Sequence, residues 1–215
     1  MGKQIILNIV ATMALLIVAA CASEACLNEE WDTLYQFEKS GLWGFKDAYD
    51  NVVIEPRFGG VSANGFSEGF TIIRGIPGDP EMKGFIDLTG ELVIPLPSIV
   101  GIVSGFSDGF ALIIEREWDW SNEQPNVTGT PGPFVYIDRS GRNVFSQEFE
   151  YATRFNEGFA VVSPAGENMF FINRQGQNAF DMEFLHAVSF VDGYAEVQLL
   201  DRRWVSIDRN GDIVG

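Results

Sequence analysis

Short apolar runs alternate with polar turns along most of this chain, and the same two turns keep returning. Phe66-Ser67-Glu68-Gly69-Phe70 recurs as Phe106-Ser107-Asp108-Gly109-Phe110, as Phe155-Asn156-Glu157-Gly158-Phe159 and as Phe190-Val191-Asp192-Gly193-Tyr194. A second pattern interleaves with it: an apolar strand, an Asp or Asn, two variable residues, Gly, and another apolar run. It reads Ile86-Asp87-Leu88-Thr89-Gly90, Ile137-Asp138-Arg139-Ser140-Gly141, Ile172-Asn173-Arg174-Gln175-Gly176 and Ile207-Asp208-Arg209-Asn210-Gly211, with Lys46-Asp47-Ala48-Tyr49-Asp50 as a first copy. Asp opening a turn and Gly closing it is type I turn chemistry: the carboxylate accepts a backbone N–H and Gly takes the left-handed conformation. No segment after residue 30 carries a long apolar stripe at helical spacing.

The Asp/Asn positions fall at 47, 87, 138, 173 and 208, so the steps are 40, 51, 35 and 35. The period is 35, with insertions in the earlier units. Hairpins join each Gly-Phe strand to the next Asp strand, which predicts five three-stranded units starting near residues 33, 69, 109, 158 and 193. The linkers between units, such as 147–157, each have room for a fourth, short strand. The Asp-bearing strand is apolar on both faces, Phe45, Phe85, Tyr136 and Phe171 on one and Ile86, Ile137, Ile172 and Ile207 on the other. A strand apolar on both faces is covered on both sides. The expected fold is therefore all-β: tandem antiparallel units of three to four strands, stacked as a propeller or as an open superhelical array, the propeller modestly favoured.

Composition agrees. The 18 Phe and 23 Gly among 215 residues suit short strands and tight turns. A net charge of −16 keeps such a domain soluble and disfavours nucleic acid as a partner.

These units resemble the bacterial WG repeat, sometimes called KWG, over about residues 33–214. The name-giving pair is Trp43-Gly44. The Trp position holds Lys83, Phe134, Met169 and Trp204 in the later copies, and Gly84 keeps the glycine where Val135, Phe170 and Val205 do not. The resemblance implies an all-β repeat domain, often exported, with a binding role rather than catalysis and no defined catalytic residues.

The N-terminus reads as an export signal over residues 1–20. Lys3 precedes a 16-residue apolar run, Ile5 to Ala20, too short for a spanning helix. It ends in Val18-Ala19-Ala20-Cys21, which resembles a bacterial lipobox. On that reading Cys21 carries the lipid anchor, residues 21–32 form a tether, and residues 33–215 are the repeat domain in the cell envelope, at the outer membrane of a two-membrane cell. Ordinary cleavage within Ala20-Cys21-Ala22, giving a secreted or periplasmic protein, is the alternative, and a Cys21–Cys26 disulfide a third.

The insertion, about 115–133, is the most distinctive stretch. In an extended segment Trp118 and Trp120 share a face, with Asp119 between them, and could stack on a sugar or grip a peptide; the alternative is that they pack over the repeat body. The Asn126-Val127-Thr128 sequon carries no weight in a bacterial chain. Glu68, Asp108, Glu157 and Asp192 share one repeat position. In a closed ring they could hold a hard cation; otherwise each caps its own turn. His186 is the single histidine, so neither a Ser–His–acid triad nor a zinc site is expected, and no metal or cofactor is. The Asp208–Asp212 turn lacks the spacing of a calcium loop.

The function these features favour is a non-catalytic, envelope-associated module that binds or scaffolds a protein or glycan partner. A purely structural or surface-display protein and a carboxylate-dependent hydrolase are the alternatives.

Overall fold

A computed structural model describes residues 34–76, 78–96, 100–114 and 133–214. Every helix-or-strand element among them is a strand. The first sheet holds β1 (Tyr35–Lys39), β2 (Leu42–Lys46) and β3 (Val52–Phe58). The second holds β4 (Gly60–Val61), β5 (Phe70–Ile76), β6 (Asp79–Asp87) and β7 (Leu92–Leu96). The third holds β8 (Gly101–Ile102), β9 (Ala111–Ile114) and β10 (Phe134–Ile137). The fourth holds β11 (Tyr151–Ala152), β12 (Phe159–Ser163) and β13 (Phe170–Asn173). The fifth holds β14 (His186–Ala187), β15 (Tyr194–Gln198), β16 (Trp204–Asp208) and β17 (Ile213–Val214). Each sheet is an antiparallel meander, one per predicted unit. The extra short strand expected in the linkers is β4, β8, β11 and β14; β11 lies inside 147–157.

Both recurring turns follow from their residues. In the Asp turn, Asp138 Oδ1 accepts the N–H groups of Ser140 and Arg142 at 2.8 and 3.1 Å, and Gly141 sits at φ 78°. Asp47, Asp87, Asn173 and Asp208 repeat this pattern. The Phe-x-acid-Gly turn is a two-residue hairpin loop: Ser67 and Phe70 exchange backbone hydrogen bonds at 2.8 and 3.0 Å, around Glu68 at φ 53° and Gly69 at φ 82°. Two successive left-handed residues make a type I′ turn, the form that matches strand twist.

Four apolar cores lie between successive sheets. Neighbours on one strand serve different cores. Phe85 belongs to the core of sheets two and three, while Ile86 belongs to that of sheets one and two. The two apolar columns expected from the sequence are buried throughout, from Phe45 to Ile207. No core among the described residues joins the fifth sheet to the first. At the first sheet the Ile column ends in Lys46, whose Nζ lies 4.8 Å from the Phe37 ring centroid. At the fifth sheet the Phe column ends in Ser206. Terminal repeats with polar outer faces are what an open array needs, so of the two forms expected, these ends fit the open one.

The third strand of each unit differs from expectation in sheets three and four. A Cβ at Gly44 would approach the Ile54 carbonyl oxygen to 2.5 Å, and one at Gly84 would collide with the Ile94 carbonyl. Glycine there lets β3 and β7 close on the preceding strand. Val135 and Phe170 stand at that position in the next two units, and Val144-Phe145 and Ala179-Phe180 form no strand. Their segments touch the sheet only at bridges, Ile137 with Asn143, Phe134 with Phe149, Ile172 with Asn178 and Met169 with Phe184. Asn143 and Asn178 accept the N–H groups of Phe145 and Phe180, each at 3.2 Å, and turn the chain aside. Both Phe rings then fill the adjacent cores. In the fifth sheet, with Val205 there, β17 pairs only with Ser206 and Ile207.

Candidate functional site

Phe134 pairs with Ile114 across β9 and β10, so the insertion is the loop of that hairpin. Trp118, Asp119 and Trp120 lie outside the described residues, as do Cys21, the leader and the tether.

A groove of about 610 Å³ opens at the root of this loop, between the second and third sheets. Ile114 and Phe134, which flank the insertion, form part of its wall together with Ile102 and Val103. The opposite wall is the β5–β6 hairpin, with Arg74, Pro80, Glu81, Met82 and Lys83. That hairpin is longer than its counterparts: β6 has nine residues, and Gly75 (φ 64°) sits at a shift of register between Arg74 and Ile76. Arg74 and Lys83 are direct cross-strand partners. In the next sheet the same two positions are Ile114 and Phe134, themselves a pair. Two basic residues therefore stand as cross-strand partners where the following unit is apolar. The groove joins an apolar wall to one that carries Arg74, Glu81 and Lys83.

Three of the four repeat-related carboxylates are used otherwise than expected: each reaches the following unit rather than capping its own turn. Glu68 accepts the N–H of Gly109 at 3.0 Å, Asp108 that of Gly158 at 2.8 Å, and Glu157 that of Gly193 at 2.9 Å. Each also pairs with an arginine from the following unit's Asp turn: Arg139 with Glu68, Arg174 with Asp108, Arg209 with Glu157. The Arg209 hydrogen bond, helped by the Gly193 N–H, holds Glu157 below the ordinary carboxylate range. Beside this runs a second series, in which Ser67, Ser107 and Asn156 side chains donate to the carbonyls of Phe106, Phe155 and Phe190 at 2.7, 2.7 and 2.6 Å. Phe70, Phe110 and Phe159 lie tilted against the same three Phe rings at 4.8–4.9 Å. In the fifth unit Asp192, Val191 and Tyr194 hold these positions and are exposed. Among the described residues no group of three or more His, Cys, Asp or Glu side chains could hold a metal ion. Asp208–Asp212 is the fifth repeat turn, and His186 is exposed on β14.

The periodicity has a counterpart in known families. The family described as WG containing repeat matches residues 43–74, 136–163 and 169–204. Each match begins in or just before a strand of one sheet and ends in a strand of the next, so a repeat in sequence straddles two sheets in space. No curated protein matches the chain. Among solved structures, the computationally designed Ika8 protein is 12% identical with a TM-score of 0.42, over 85% of this chain and 59% of its own. BamB from Moraxella catarrhalis is 15% identical with a TM-score of 0.35, over 82% of this chain and 58% of its own. This chain thus matches less than two thirds of either.

The sequence reading did not find the groove. Its signal was Lys83, standing where the other units have Trp43, Phe134, Met169 and Trp204, but the groove itself depends on two units meeting.

Proposed function

We propose that this chain is a non-catalytic binding module, lipid-anchored through Cys21 in a bacterial envelope, that holds a protein or glycan partner in the groove between its second and third sheets. The observation that carries the reading is the groove itself at the root of the insertion, where an apolar wall of Ile102, Val103, Ile114 and Phe134 faces Arg74, Glu81, Met82 and Lys83. Long loops on rigid scaffolds often carry function, and Trp118, Asp119 and Trp120 follow Ile114 closely enough in sequence to contribute to the same partner. The assignment of repeat-position acids to turns and arginines in neighbouring units argues against a hydrolytic carboxylate pair among them.

The test is capture from envelope extract with the chain from Glu24 onward, beside Arg74→Glu and a Trp118→Ala/Trp120→Ala double variant. A partner lost in both variants supports the reading. A partner retained by both sinks it, and a blank with the parent chain favours a structural or display role. Cys21→Ser should release the protein from membranes if the anchor is as proposed; a variant that fractionates like the parent removes that part.

A further inference from the structure

We draw no further inference here: the strongest candidate, the outer face of the fifth sheet with its exposed Tyr194 and Trp204, is an unpartnered end of the array, and nothing in the structure shows what covers it.

Discussion

Asp108, in the turn that opens the third sheet's main hairpin, accepts the backbone N–H of Gly158 in the corresponding turn of the fourth, at 2.8 Å. A positive φ of 55° at Asp108 is the strained half of this arrangement; the inter-sheet hydrogen bond is the return. Removing the carboxylate leaves a half-buried N–H without its partner, which costs about 1–3 kcal/mol, whereas the half-exposed Arg174 that also pairs with Asp108 contributes under about 1 kcal/mol. Asp108→Ala should therefore destabilise clearly more than Arg174→Ala in urea unfolding, and Asp192→Ala, at the exposed end of the series, should be near neutral. Equal losses for the three would refute inter-sheet capping.

The glycines of the first two units make a second prediction. Gly44→Ala forces a methyl group against the Ile54 carbonyl, and strain of that kind costs about 1–3 kcal/mol. Hydrogen exchange should quicken first in β3, whose pairing to β2 the glycine permits. Unchanged protection in β3 would contradict the role assigned to Gly44.

Acid sensitivity should come from the Asp turns. Asp138 is drawn down to about 2, first by the Ser140 hydroxyl and then by the Arg142 and Ser140 N–H groups, and Asp47, Asp87 and Asp208 are lowered as well. A carboxylate with a depressed folded-state pKa stabilises above its unfolded value, near 3.9, and loses that stabilisation as pH falls through its folded value. Melting temperature should be insensitive to these groups above about pH 5 and fall between about pH 4 and 2. Asn173 makes the same two backbone contacts without titrating, so Asp138→Asn should fold and show a shallower acid slope. An identical slope would exclude Asp138 as a contributor.

The ends of the array predict its association behaviour. Glu196→Val with Ser206→Phe restores to the fifth sheet the side chains that the fourth uses to stack. The double variant should self-associate with rising concentration in sedimentation velocity, while the parent shows less tendency to do so. A variant that sediments as the parent does would mean that these polar residues are not what ends the array.

Much of this was legible because the repeats repeat their reasons. The Asp turns, the hairpins and the two apolar columns follow from residue type and spacing. Lys46 and Ser206 each interrupt a column that is otherwise apolar, one at either end, yet the sequence reading modestly favoured a closed ring. The lost third strands were written in Val135 and Phe170, although only the approach of a carbonyl to the glycine position explains why they matter. The destinations of Glu68, Asp108 and Glu157 were not legible. Local turn chemistry offers each acid its own turn, and only the stacking of sheets brings a neighbour's N–H closer. The groove escaped for a similar reason, since it depends on two units meeting.

The pairing of Ile114 with Phe134 anchors the insertion at both of its ends within one hairpin. A chain cut between them would leave each piece holding one strand of the same sheet, with its own neighbours already stacked behind it. The two pieces are thus natural halves of a reconstitutable protein. The same position would receive a grafted domain at little entropic cost, since loop closure grows only slowly with length.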